Sequence, residues 1–331
     1  MKRLLTVLCL MITALHTDAA DPIRVGIIGL DTSHAINFTT ALNTPQPAGT
    51  DYGCKVVAAY PKGSPDIASS VSRVPEYTAK VKGMGVEIVD SIDALLTKVD
   101  AVLLETNDGR PHLEQLRPCL KAKKPVFIDK PVAASLADVI AIFDEAKAAG
   151  VPVFSSSALR YGKATQEIRG DSLGKVLKAE AGSPANLEPT HPDLFWYGIH
   201  GMESLVTLMG PGADKVKRGT GADGKIEVTV TWKDGRTGVF REMKGYGATL
   251  TAEKGKAEAG KFEGYEPLVA QIATFFRTRK APVSAEETVE IYAIMEAADE
   301  SKRRSGAEVS LAEVLTKAKA ASNRGGVQGG K

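Results

Sequence analysis

Two short segments of this sequence carry residue types suited to acid–base chemistry. The first is Asp129-Lys130-Pro131, directly after the apolar run at 125–128. A lysine at the carboxyl end of a strand in an open parallel sheet lies at the ligand crevice. There its ammonium can polarise a hydroxyl or carbonyl, or hold a nearby base in its working protonation state. The second segment is Trp196-Tyr197-Gly198-Ile199-His200-Gly201-Met202-Glu203. His200 and Glu203 stand three apart and share a helical face, which places the carboxylate to orient an imidazole acting as general acid or base.

A third segment, Gly29-Leu30-Asp31-Thr32-Ser33-His34, reads as a turn from strand to helix. In the dinucleotide fingerprint G-x-G-x-x-G, such a turn brings backbone N–H groups against a pyrophosphate. Only its first glycine, Gly29, is present here. Asp31 and His34 stand at the second and third glycine positions. A carboxylate opposes a pyrophosphate, and a Cβ limits close approach. The second strand also ends without an acid for the ribose hydroxyls; Lys62 or Ser64 can meet a ribose phosphate, or Lys62 is a solvated loop residue.

Beyond residue 20 the histidines are His34, His112, His191 and His200. On the fold argued below, all four can face one cleft, with Asp31 and Asp193 nearby. Their spacing matches no recognised metal-ligand motif, so no metal is expected. They read instead as a hydrogen-bonding set for a polyhydroxylated or carboxylated ligand. Arg110, Arg160, Trp196 and Tyr197 suit the same ligand, since guanidinium forks bind carboxylates and aromatic faces pack on sugar rings.

The elements that must position these residues follow from periodicity. Short β-branched runs at 23–29, 55–60, 86–89, 100–104, 125–128 and 151–155 read as buried parallel strands. Helical stretches fall between them: 33–42 with Ser33 as N-cap, one within 65–82, then 93–96, 111–121 and 135–149. Alternation at this spacing implies right-handed βαβ units in an open parallel sheet. The second half reads as α+β on a largely antiparallel sheet, with strands at 175–181, 225–232, 237–243 and 248–252. Residues 226–232 alternate strictly, and Lys233-Asp234-Gly235-Arg236 turns a hairpin. Helices are expected at 195–209, 266–277 and 285–305. An alternating sheet with one wet face also suggests a homo-oligomer formed through that face.

Across its 331 residues the chain is 43% hydrophobic and 25% charged, with a formal net charge of +2. Those values describe a soluble globular protein, and without a dense basic block they speak against nucleic acid or an anionic membrane as partner. Lys2 and Arg3 precede an apolar run at 4–15 and small residues near Ala20. That order is a secretory signal peptide, and the run is short for a membrane span. The expected division is a signal at 1–20, a Rossmann-type domain at 21–157, an α+β substrate and oligomerisation domain at 158–324, and a flexible tail at 325–331. A periplasmic or secreted location follows, with no membrane association after signal removal. Cys54 and Cys119 read as small buried apolar residues.

The order of Val25-Gly26-Ile27-Ile28-Gly29, the segment 104–112, Phe127-Ile128-Asp129-Lys130-Pro131, Gly198-Ile199-His200-x-x-Glu203 and the late stretch 281–311 resembles the Gfo/Idh/MocA family. The resemblance implies an oxidoreductase using NAD or NADP on a small-molecule substrate: a sugar, a cyclitol or a related hydroxyl compound. It places Lys130 at the family's Glu-Lys-Pro lysine, with Asp129 for the glutamate. It also places His200 at the acid/base histidine, and Glu203 at a position where aspartate is usual. Trp196 departs from a position where many members have aspartate. By the same resemblance Thr106 and Asn107 are nicotinamide-side contacts. The expected cofactor-binding set is Gly29, Asp31, Thr32, Ser33, His34, Lys62, Thr106, Asn107, Asp129 and Lys130. Export makes a free nicotinamide cofactor scarce, so a retained, tightly bound one is implied, with a self-regenerating redox cycle. The alternative is an exported relative without redox chemistry, either a ligand-binding protein or a cofactor-free lyase or isomerase using the same cleft.

Overall fold

The computed structural model describes residues 21–45 and 52–326; the expected signal at 1–20 lies outside them. The first half alternates strands and helices: β1 (Ile23–Ile28), α1 (Ser33–Asn43), β2 (Cys54–Tyr60), α2 (Ala68–Gly83), β3 (Glu87–Ile88), α3 (Ile92–Leu96) and β4 (Ala101–Leu104). It continues through α4 (His112–Lys121), β5 (Val126–Ile128), α5 (Leu136–Ala149) and β6 (Val153–Phe154). All six strands are parallel, in the order β3-β2-β1-β4-β5-β6. The order reverses between β1 and β4, which opens the crevice where doubly wound sheets bind ligands. Central strands covered on both faces need unbroken apolar runs, and β4 and β5 are buried at every position.

The cap of α1 corrects one expectation. Thr32, in extended conformation, is the N-cap, and its hydroxyl accepts from the His34 N–H at 3.4 Å, while Ser33 is already helical. Gly29 is required at the end of β1. Its φ is +93°, and a Cβ there would stand 2.4 Å from the Thr106 backbone nitrogen.

A short 3-10 helix (Ala158–Tyr161) and α6 (Lys163–Arg169) lead to β7 (Val176–Ser183), α7 (Asp193–Trp196) and α8 (Ile199–Met209). Then come β8 (Ala213–Thr220), β9 (Ile226–Trp232), β10 (Thr237–Glu242), β11 (Gly247–Ala252), β12 (Gly255–Ala259), α9 (Glu266–Thr278), α10 (Ala285–Arg303), β13 (Val309–Ser310) and α11 (Leu311–Gly326). The second sheet runs β12-β11-β7-β10-β9-β8-β13, antiparallel except for the parallel β7/β10 pair. The expected continuous helix at 195–209 is two helices, broken at Tyr197-Gly198. Gly201 lets α8 sit close on this sheet, since a Cβ there would meet the Phe240 ring at 2.7 Å and the Ser183 nitrogen at 2.9 Å. On the open face Arg241 pairs with Glu180 and Glu227, so charge ladders cross the strands there. The expected tail at 325–331 begins inside α11, and its remainder lies outside the described residues. Among the described residues no helix is long and apolar enough to cross a membrane.

The two halves share their core. Helix α9, though late in sequence, packs Val269, Ile272 and Phe276 into the cluster that holds Val25 and Ile27 of β1. Helix α10 reaches back as well: the Tyr292 hydroxyl accepts from the Val132 N–H at 2.7 Å, and both groups are buried. Tyr292→Phe should therefore cost about 1–3 kcal/mol in urea denaturation, because it strands a buried donor. A loss of only a few tenths would show that water replaces the hydroxyl.

Candidate functional site

The loops after β1, β4 and β5 open onto a cleft of about 330 Å³. Opposite stand the turn between α7 and α8 and three aromatic rings, Tyr246, Phe262 and Tyr265. Of the residues expected at a site, the cleft wall brings together Thr32, Ser33, His34, Asn107, Lys130, Trp196, Tyr197 and His200. It adds Ser69, Arg73, Ser157 and Asn186, which sequence reasoning missed. Arg73 extends from α2 and donates to the Asp31 carbonyl at 3.3 Å, setting a cation beside the start of α1.

His200 is 8% exposed, and the Ser157 hydroxyl lies 2.8 Å from its Nδ1. The rings of Tyr197 and Tyr246 pack edge-on against it at 5.4 and 5.8 Å. Burial, then the Lys130 ammonium, holds the imidazole well below its ordinary pKa. It is neutral at pH 7, the state a general base requires. With its proton on Nδ1 and donated to Ser157 Oγ, its Nε2 lone pair is free to accept. Lys130 lies across the same cleft, its Nζ 5.6 Å from the centre of the Tyr197 ring.

Glu203 does not touch His200, although it shares the helix face. Its carboxylate accepts from Ser156 Oγ (2.7 Å), the Ser157 N–H (2.8 Å) and Arg160 Nε (2.8 Å). It fixes the segment that carries Ser157, and through Ser157 the imidazole. Arg160 is 0% exposed and also pairs with Glu287 at 2.6 Å. The expectation of Arg160 as a substrate ligand is thus corrected: two carboxylates hold it inside the protein.

The expectations for Arg110, Thr106, His191 and His112 are corrected in the same way, each being engaged by other groups of the protein, and Lys62 lies outside the cleft wall. Arg110 forms a fork with Asp66 at 2.7 and 2.8 Å and also bonds Asp108, over a shallow depression distinct from the cleft wall. Lys62 and Thr106 border that depression, Lys62 exposed and Thr106 donating to Gln115 at 2.9 Å. His191 is buried behind Trp196, with ring centres 4.8 Å apart, and its Nε2 accepts from the Gly109 N–H at 3.1 Å. His112 is likewise internal, between the carbonyls of Thr106 and Val132. Only two of the four histidines, His34 and His200, face the cleft.

The turn after β1 is organised around Asp31. Its buried carboxylate accepts from Ser70 Oγ at 2.6 Å and from the Asn107 N–H at 2.9 Å. Burial outweighs these bonds and raises its pKa to about 6. Deeper still, His34 Nδ1 lies 2.9 Å from both oxygens of Asp129. Glu105, the residue after β4, is fully buried beside them, and neither carboxylate oxygen has a partner. Burial first, then the Asp129 charge, pushes the Glu105 carboxyl well above its usual range. Asn107 Oδ1 is another buried acceptor without a partner. An acceptor waiting in the cleft wall fits the hydroxyls or amide of a nicotinamide riboside. The start of α1 and Arg73 fit its phosphates, while the Asp31 carboxylate opposes them.

Residues 23–157 match the Gfo/Idh/MocA family, described as an oxidoreductase family with an NAD-binding Rossmann fold. Myo-inositol 2-dehydrogenase of Thermotoga maritima is 36% identical over 93 residues, 26% of this chain and 28% of that protein. Inositol 2-dehydrogenase of Rhodococcus erythropolis is 31% identical over 143 residues, 41% of this chain and 40% of that protein. Both matches span less than half of those relatives' own lengths. In fold, the chain resembles scyllo-inositol dehydrogenase of Lactobacillus casei, solved with NAD(H) and scyllo-inositol. That likeness has a TM-score of 0.68 at 16% identity and covers 88% of this chain and 99% of the other. The parallel sheet and its crevice agree with that match: residues 23–157 have the Rossmann fold of the Gfo/Idh/MocA oxidoreductases that they resemble.

Proposed function

We propose that this protein is an NAD(P)-dependent oxidoreductase acting on a cyclitol, a sugar or a related hydroxyl compound, with His200 and Lys130 as its acid–base pair. One observation carries the reading: a neutral, buried imidazole and a lysine share an aromatic-walled cleft at the sheet's crevice. His200 Nε2 takes the hydroxyl proton as the carbonyl forms, and the Lys130 ammonium steadies the developing oxyanion. When bound, the nicotinamide supplies the acceptor for the hydride that leaves the same carbon. Trp196 and Tyr197 offer the apolar faces on which a ring can lie. The inositol dehydrogenases among the relatives support a cyclitol as the first compound to screen. Export through residues 1–20 belongs to the proposal and rests on their charged–apolar–small order. N-terminal sequencing of the chain from a periplasmic fraction tests it, and an intact Met1 would refute it. A homo-oligomer through the open sheet face is also proposed, and light scattering showing only monomer would refute that.

The nucleotide is tested directly. Mature protein is extracted and any nucleotide identified by mass spectrometry, followed by calorimetric titration with NAD and NADP. A nucleotide carried through purification, or micromolar binding, supports the redox reading; no binding at millimolar cofactor sinks it. One observation favours the alternative, a ligand-binding protein or cofactor-free lyase: Asp31 already occupies the donors of Ser70 and Asn107. Asp31→Gly therefore sharpens the titration. It removes a like charge, which at about 4 Å opposes each phosphate charge by roughly 1–4 kcal/mol, and it frees both donors. Affinity for NAD should rise about tenfold or more, at some expense in stability. Unchanged affinity would mean that nucleotide does not lie along this turn.

A further inference from the structure

We propose that His34, Glu105 and Asp129 form a binding site for one divalent transition-metal ion at the floor of the cleft. The three residues follow β1, β4 and β5, all are buried, and their ligand atoms lie within 4.8 Å of one another. Two ligands on an ion with bonds near 2.1 Å stand about 3.4 Å apart in a tetrahedral shell and at most about 4.2 Å apart when opposite, so the widest edge of the site must close by roughly 0.6–1.4 Å. The His34–Asp129 edge, at 2.9 Å, already has a suitable length.

A cluster of this kind can be held together by hydrogen bonds alone, and two of its members are. Glu105 is the exception: it is 0% exposed, and both of its oxygens are unsatisfied. Burying a carboxylate with no partner costs several kcal/mol, which a bound cation or a bound proton must relieve. The surroundings favour a cation. Asp129 and Asp31 add two further carboxylates at the same carboxyl edge of the sheet, after β5 and β1. One imidazole with two carboxylates suits Zn²⁺ or Mn²⁺, whereas Ca²⁺ and Mg²⁺ take all-oxygen shells. His34 also lines the cleft, so the ion would present positive charge at its floor, where an oxygen-rich ligand would feel it.

The proposal does not rest on the redox reading, because its readout is metal content. Untagged, chelator-stripped protein is titrated calorimetrically with ZnCl₂, MnCl₂ and MgCl₂, then desalted and assayed by elemental mass spectrometry. The expected result is one equivalent of Zn²⁺ or Mn²⁺, a raised melting temperature and weaker Mg²⁺ binding. Glu105→Gln keeps the side chain's shape and should weaken the ion by about 100-fold or more, as should His34→Gln. No saturable binding at millimolar metal would overturn the site and leave Glu105 as a protonated acid beside Asp129. Wild-type affinity in Glu105→Gln would overturn it too, by placing the ion elsewhere. Should both variants fail to fold, the wild-type titration alone still decides.

Discussion

Replacing His200 with asparagine should lower kcat by about 10²–10⁴-fold on a cyclitol or sugar substrate, with a much smaller change in KM. The argument runs from environment to role. Burial and the neighbouring Lys130 keep the imidazole neutral, Ser157 holds Nδ1, and the ring edge faces the cleft. A base in that state loses activity only as pH falls through its own depressed pKa. The acid limb of kcat/KM therefore belongs below the ordinary histidine value of about 6.5. Lys130→Met adds a test of sign. It deletes the second-largest cause of the depression, so the His200 pKa rises and the acid limb moves toward neutral pH, in addition to the loss of oxyanion stabilisation. A pH–rate profile that does not move in Lys130→Met would show that the ammonium does not act on His200. Full turnover in His200→Asn would remove the base from the mechanism altogether.

The cleft positions of Lys130 and His200 were legible from the strand pattern for one and from the family resemblance for the other. One follows a buried strand, whereas the helical spacing of His200 and Glu203 misled, since the carboxylate bonds Ser157 and not the imidazole. The fate of a charged side chain is a different matter. Arg110 and Arg160 look equally apt for a carboxylated ligand, yet the fold brings distant acids to each: Asp66 to Arg110, beside its near neighbour Asp108, and Glu203 and Glu287 to Arg160. No local signal announces those distant acids. His191 and His112 are hidden for the same reason, since their partners are backbone groups of loops brought together by the fold. Glu105 did leave a trace, as the single acid ending the apolar run Val102-Leu103-Leu104, where a buried charge has no bland purpose. Strands β8 and β12 escaped because AlaAspLysValLysArgGlyThr and GlyLysAlaGluAla lack the apolar alternation of β9. The shared core was unreadable as well: α9 reads as part of the second half, and only its apolar face shows that it completes the first sheet's packing.

Glu203 is where stability and chemistry meet. Its carboxylate has three donors, Ser156 Oγ, the Ser157 N–H and Arg160, and all three lie in the interior. Glu203→Ala leaves the buried guanidinium with Glu287 alone and strands Ser156 Oγ and Ser157 N. Breaking a buried pair in this way typically costs about 3–5 kcal/mol, more than the pair itself contributes, because an uncompensated charge remains inside. Urea denaturation should show that loss; a change under 1 kcal/mol would mean that Glu287 or water takes over the guanidinium. Glu203→Gln separates the two roles. The amide oxygen can still accept from the Ser157 N–H, so the turn keeps its course, while charge pairing with Arg160 is lost. If Glu203 only supports the fold, both variants lower the melting temperature and leave kcat per folded molecule unchanged. If it positions the base, Glu203→Ala also lowers kcat with KM nearly constant, because Ser157 no longer fixes His200 Nδ1, and Glu203→Gln restores most of that kcat without restoring the stability. The partial rescue is the outcome expected, because the carboxylate bonds Ser157 directly and His200 not at all.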